Sequence, residues 1–260
     1  MALLELNNVT KNFGGIVAVK DISFSLDNNE IVGLIGPNGA GKTTVFNLIT
    51  CVYNLTEGKI IFDGKDITGW HPVEIVKGGI TRTFQNIRLF NKLSVLENIR
   101  TVLFRNADYG LGQTLIRSPK VIKTEKRLYD ESMKFLDVVG LSDFAKQRAD
   151  SLPYGLQRKL EIARALALGP KLLLLDEPAA GMNPEESLEL VTLIRKIKDL
   201  YNLTIILIEH HMDVVMELCP RIVVINFGQM LMDGSKHDVQ SDPRVLKAYL
   251  GEEYAYAEGQ

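Results

Sequence analysis

The chain has 260 residues, 46% of them hydrophobic, enough for one large domain, or a domain with a subdomain, around a substantial core. A formal net charge of -2, with lysine and arginine scattered rather than massed, excludes a broad basic surface for nucleic acid. The two cysteines, Cys51 and Cys219, stand in no ligand-like spacing, which excludes a zinc or disulfide framework and suits a reducing compartment.

The opening MALLELNNVTKNF lacks the basic start and long apolar run of a signal peptide, and no apolar run is as long as a membrane span. Membrane association is therefore expected only through a partner. Five β-branched, apolar segments read as strands: EIVGLIG (30–36), KIIFDG (59–64), KLLLLDE (171–177), LTIILIE (203–209) and RIVVIN (221–226). Helical patterns follow three of them, GKTTVFNLIT, PEESLELVTLIRKIKDL and HMDVVMELC. That alternation predicts a parallel sheet covered on both faces, an α/β fold.

From about Val95 to Ala167 strand signals vanish and helical ones replace them. In EKRLYDESMKFLDVVGL, Leu128, Phe135, Leu136 and Val139 share one face, with Gly140 placed to cap the helix. The pattern predicts a helical subdomain inserted into the α/β core. Within it, RNADYGLGQTLIRSPK (105–120) reads as an irregular excursion. LPYGLQRKLEIARAL (152–166) reads as a loop that becomes an amphipathic helix, and the polar tail EEYAYAEGQ is expected to fray unless a partner holds it.

The stretch GPNGAGKTT, Gly36 to Thr44, has the spacing G-x-x-x-x-G-K-T, follows a predicted strand and opens a helix. Such a loop turns backbone N–H groups onto phosphate oxygens, the helix N-terminus adds partial positive charge, and Lys42 reaches the β/γ-phosphates. The Thr43 hydroxyl is a candidate Mg²⁺ ligand. Asp176 and Glu177 end a buried strand, so Asp176 is expected on the metal side and Glu177 as general base or water-orienting group. His210 closes another strand, where it either contacts the γ-phosphate or is only a polar terminus, and Gln85 could ligate Mg²⁺ or the attacking water.

The phosphate loop, Gln85, LPYGLQRKLEIARAL, LLLLDEP and His210, in that order, resemble the ATP-binding subunit of an ABC transporter over essentially the whole chain. The resemblance implies a P-loop NTPase core with an N-terminal antiparallel β region and an inserted helical subdomain. Residues 1–85 and 159–260 would form the nucleotide-binding core, and 86–158 the helical subdomain ending in the signature loop. It implies ATP and Mg²⁺ as ligands, Gly36, Pro37, Asn38, Gly39, Ala40, Gly41, Lys42, Thr43 and Thr44 around the phosphates, and Phe13 stacked on adenine. Gln85 would lie in the loop facing the membrane subunits. Two cassettes would sandwich two ATPs, each held by one phosphate loop and by the other subunit's signature residues Leu152, Pro153, Tyr154, Gly155, Leu156 and Gln157. Ala180, Gly181, Met182 and Asn183 would form the loop that crosses the dimer interface.

ITRTFQNIRLFNKLSVLENI, DEPAAGMNP, IEHHMDVV and VLKAYLGEE resemble the LivG type of branched-chain amino acid importer ATPase. The implied partners are a LivF-like second ATPase or a second copy of the chain, two transmembrane permease subunits at the cytoplasmic face of the membrane, and indirectly an extracytoplasmic solute-binding protein. Urea or amide importers, a lipopolysaccharide-type exporter and a non-transport ABC ATPase stay open as alternatives. A soluble P-loop kinase is the rival of another class, and it would carry an acceptor lid in place of the signature. The chain departs from the general pattern at Pro153, Tyr154 and Leu156 in the signature, at Asn183 where most families carry aspartate, and at His211 where aspartate usually follows the histidine. Pro153 supplies neither hydroxyl nor N–H, so a site built on this loop would hold ATP more loosely unless the neighbouring amides suffice.

Overall fold

The computed structural model describes residues 2–106 and 119–249. Most of the expected excursion at 105–120 and the polar tail lie outside the described residues. The chain divides into two units, Met1–Arg82 with Lys171–Gln260, and Thr83–Pro170.

In the first unit, β1 (Leu4–Phe13), β2 (Ile16–Leu26), β4 (Glu57–Phe62) and β5 (Lys65–Asp66) form an antiparallel sheet in the order β2-β1-β4-β5. A six-stranded sheet has the order β10-β9-β3-β8-β7-β6. It is built from β3 (Ile31–Ile35), β6 (Ile80–Arg82), β7 (Leu172–Asp176), β8 (Thr204–Ile208), β9 (Arg221–Asn226) and β10 (Gln229–Ser235). All its pairings are parallel except β9 with β10. The α/β expectation holds, and one strand moves: KIIFDG joins the antiparallel sheet. Its Ile60 and Phe62 alternate inward opposite Leu6 and Leu4, which makes it a partner for β1 rather than a doubly buried core strand. By contrast β3, β7 and β8 are buried at every position, the pattern of strands covered on both faces.

The strand period of two sorts this core. Val32, Leu34, Leu172, Leu174, Ile206, Ile208, Val223 and Ile225 pack with Phe46, Leu48 and Ile49 of α1 (Lys42–Ile49) and with Leu4, Leu6 and Ile22 of the antiparallel sheet. On the opposite face, a Cβ at Gly33 would stand 3.3 Å from Val215 and Cys219, so α7 (Met212–Leu218) and the residue that ends it lie close against β3. Each fully buried Leu or Ile contributes about 1.5–3 kcal/mol by leaving water. The remaining helices of this unit are α2 (Pro72–Gly78), α6 (Pro184–Tyr201) and α8 (Lys236–Ser241), and residues 243–249 are also helical.

The second unit is helical: α3 (Val95–Leu103), α4 (Pro119–Val138) and α5 (Tyr154–Leu166) pack on one another. Leu128, Leu136 and Val139 are buried as their shared face requires while Phe135 is only half-buried, and Gly140 ends the segment at φ 73° with Leu141 N–H bonded to Leu136 O at 2.7 Å. The unit extends to Pro170 and includes α5, which carries the buried Leu160 and Ile162 and packs against α3 and α4. Among the described residues no helix is long and apolar enough to cross a membrane.

Both cysteines are free and buried. Burial pushes the Cys219 thiol up to about 12 and raises Cys51, whose Sγ donates to Ile67 O at 3.3 Å. Neither forms a thiolate readily near neutral pH, and the thiolate is the reactive species. A disulfide reagent at pH 8 should therefore label neither in the native chain and both in denaturant, counted by released chromophore. Rapid native labelling would contradict this packing.

Candidate functional site

The phosphate-loop spacing closes on itself because two of its glycines meet backbone. A Cβ at Gly36, at φ 154°, would lie 2.0 Å from Ile225 O, and one at Gly41, at φ 103°, would lie 2.9 Å from Ala18 O. Only glycine fits either place. Gly41 is the N-cap of α1, so the first-turn N–H groups of that helix open toward the loop. Lys42 is 6% exposed, and its ammonium donates to Gly36 O at 2.6 Å and Pro37 O at 2.9 Å, which holds it within the loop.

A cavity of ≈ 490 Å³ is lined by Asn38, Gly39, Ala40, Gly41, Lys42, Thr43 and Thr44 together with Glu177, His210, Ile16, Val17, Ala18, Phe227 and Gly228. Glu177 and His210 meet there, Oε1 to Nε2 at 2.8 Å. Glu177 sits at φ 47°, a left-handed conformation that costs a non-glycine residue energy and persists where neighbours over-determine it. Its N–H is bonded to Ile208 O at 2.8 Å and its carbonyl accepts from Ala180 N–H at 3.2 Å. The conformation turns the side chain off the end of β7 into the cavity. Asp176, 3% exposed, stays in the strand and pairs with Arg82 at 2.5 Å, while the other end of that guanidinium donates to Asn47 Oδ1 at 2.6 Å. One arginine thus ties the end of β7 to α1.

Phe13 is outside the cavity lining, packed edge to face on Tyr53 at 5.1 Å with Lys11 Nζ 4.9 Å from its ring, and Ile16 and Val17 line the cavity instead. Gln85 and the signature residues belong to the second unit. There Arg158, fully buried, donates to Phe84 O at 2.6 Å, Gln85 O at 2.7 Å, Glu161 Oε2 at 2.7 Å and the Tyr154 hydroxyl at 3.0 Å. The expected signature loop is short: Pro153 is the N-cap of α5, and Tyr154, Gly155, Leu156 and Gln157 form its first turn. The bond from Arg158 to the Tyr154 hydroxyl helps draw those residues into the helix. Leu152 O accepts from Gln157 Nε2 at 2.8 Å, and Pro153 brings no side-chain cap.

Ala180, Gly181 and Met182 form a turn after Glu177, with Met182 N–H on Ala179 O at 3.1 Å. Asn183 is the N-cap of α6, its Oδ1 accepting from Glu186 N–H at 2.9 Å and Glu186 answering on the Asn183 N–H at 3.0 Å. Its side chain is engaged by its own helix. Sequence reasoning passed over Arg82, Arg158 and Glu209. The signal available was a charged residue inside or at the end of an apolar run, which needs a partner when buried.

Residues 19–180 match the family model for ABC transporters, and residues 229–255 match one for branched-chain amino acid ATP-binding cassette transporters. The chain is 42% identical to the high-affinity branched-chain amino acid transport ATP-binding protein LivG of Escherichia coli K12, over 96% of this chain and 98% of that protein. It is similar to the crystal structure of the ADP conformation of MJ1267, an ATP-binding cassette of an ABC transporter, with TM-score 0.83, 31% identity and coverage of 96% and 99%. A dimeric post-hydrolysis structure of the cassette MJ0796 bound to ADP and phosphate aligns with TM-score 0.75 at 25% identity, covering 89% and 98%.

Proposed function

The chain belongs to the ABC transporter ATP-binding family and is an ATPase, and from that premise we propose that it powers an importer of branched-chain amino acids from the cytoplasmic face of the membrane. The observation that carries the catalytic half of this reading is the convergence of Asn38–Thr44, Glu177 and His210 on one cavity, with Glu177 and His210 in contact. The solute assignment is supported by the 42% identity to LivG and by the family-specific match at 229–255.

The phosphates of ATP enter the loop, where inward N–H groups, the start of α1 and Lys42 offset their charge. A hydroxyl from Thr43 and the carboxylate of Asp176 are hard oxygen donors, few in number, which suits Mg²⁺ that keeps waters and shares the phosphates. Bound there, the ion would neutralise charge on the β- and γ-phosphates. Glu177 takes the proton of a water as that oxygen bonds to the γ-phosphorus and the bond to the β-γ bridging oxygen breaks, giving ADP and phosphate. His210 holds the Glu177 carboxylate and senses the γ-phosphate.

A second cassette, LivF-like or a second copy, closes the site by presenting residues equivalent to 152–157. Two permease subunits engage the Gln85 region, and a solute-binding protein delivers the amino acid on the other side. Phe13 stacks on adenine once nucleotide is bound. The residues 1–85 and 159–260 act as the nucleotide core and 86–158 as the arm that transmits closure.

The test is a tagged chain expressed from its own locus. Membrane-embedded subunits should copurify, and replacing Glu177 by Gln in that chain should abolish uptake of labelled leucine, isoleucine and valine. Unchanged uptake of all three, with urea uptake lost, would move the solute. Ribosomes in place of membrane subunits would overturn transport altogether.

A further inference from the structure

The ladder between β7 and β8 ends at the pair Asp176 and Ile208, with the Glu177 N–H still bonded to Ile208 O at 2.8 Å. Just past it one chain carries Glu177 and the other His210, whose side chains meet at 2.8 Å. A buried carboxylate bridges the two turns that follow. Glu209 is 2% exposed; its Oε1 accepts from Ala179 N–H at 2.6 Å, and its Oε2 accepts from His210 N–H at 3.0 Å and His211 N–H at 3.3 Å.

One oxygen therefore holds the turn after Glu177, and the other holds the turn containing His210. Backbone donors on both sides are satisfied by a single side chain, and an ionised carboxylate is the group that accepts from all of them without offering a donor. The Glu177 backbone lies in a left-handed conformation two residues before Ala179, so the same bond helps keep that strained turn in place.

We propose that Glu209 is a positioning residue: its carboxylate clamps the Glu177 and His210 turns together and so sets the geometry of the pair for hydrolysis. The inference rests on the roles proposed above for Glu177 and His210. Glu209 itself is not among the residues lining the cavity and bonds no residue of the phosphate loop; it reaches the site only through the turns that carry Glu177 and His210, so its loss should act on turnover more than on nucleotide binding.

Glu209→Gln keeps the shape but sets an amide NH₂ against a backbone donor, and Glu209→Asp keeps the charge but falls one methylene short. In the full-length chain, kcat for Mg-ATP should fall about tenfold or more in Glu209→Gln, with KM within about twofold, because a small misplacement of reacting groups is costly. Glu209→Asp should recover part of the loss. A purely structural role would lower the melting temperature and leave kcat per folded molecule unchanged; that result overturns the proposal, as does KM rising in step with the loss of kcat.

Hydrogen exchange on the unaltered chain reads the clamp even if the variants fail to fold. The Ala179 and His210 amides should be protected, and rapid exchange at Ala179 overturns the proposal. Glu177→Gln run in parallel separates the readings. If it turns over normally while Ala179 is protected, the base assignment fails and the clamp stands as geometry without a catalytic partner.

Discussion

Glu177→Gln should lower steady-state ATP turnover by about two to three orders of magnitude while leaving ATP bound, the cost of removing a proton acceptor from a preset site. Glutamine keeps the size of the side chain and can still meet His210, but its amide takes up no proton from the attacking water. The strained backbone at position 177, fixed by Ile208 O and Ala180 N–H, is unchanged by the substitution. ATP should then persist between two cassettes. Gel filtration with ATP and Mg²⁺ should show a stable dimer in the variant, and its single-turnover rate should be all but lost. Turnover near that of the unaltered chain would take the base role away from Glu177.

Lys42→Ala should act one step earlier, on binding. The ammonium sits 2.6 and 2.9 Å from two loop carbonyls and is shielded from solvent, so little but nucleotide phosphate can draw it away. Charge-assisted bonds to phosphate oxygens are worth about 1.5–3 kcal/mol each, and losing two weakens affinity by about a hundredfold or more. Titration with a fluorescent ATP analogue reads this directly. A dissociation constant within about twofold of the unaltered chain would show that the loop amides alone hold the nucleotide. The two variants differ in kind: Lys42→Ala should fail to load, and Glu177→Gln should load and stall.

The signature region changes meaning once folded. As a sequence, Tyr154 ahead of Gly155 is an awkward loop for approaching phosphate. As a structure, Tyr154 begins a helix, its hydroxyl meets Arg158, and Gly155 is not among the glycines with positive φ. The flexibility of glycine is therefore not what position 155 supplies. What this stretch presents is a helix N-terminus without a side-chain cap, since Pro153 carries none.

Local sequence determined what depends on local chemistry. The spacing of Gly36, Gly41 and Lys42 requires a phosphate-type loop, and β-branched runs buried at every position require a doubly covered sheet. Strands ending in Asp176–Glu177 and in Glu209–His210 put polar side chains at one edge of that sheet. The same segment-by-segment reading passed over β1, β2, β5, β6 and β10, where polar residues interrupt the apolar ones or the strand is only two or three residues long; the N-terminal antiparallel region that β1 and β2 form is expected from the family resemblance alone. Phe13 packs edge to face on Tyr53, a neighbour set by chain return that its own sequence position does not show.

Tertiary structure alone decided the rest. Arg82 bonds a carboxylate 94 residues away, Arg158 a carbonyl 73 residues away, and Glu209 an amide 30 residues away. Each is a charged group inside a low-dielectric interior, where it must find a partner or cost several kcal/mol. A sequence shows that such a group needs a partner. Which partner it finds follows from strand order and helix packing, because β6, β7 and β8 become neighbours only when the sheet assembles.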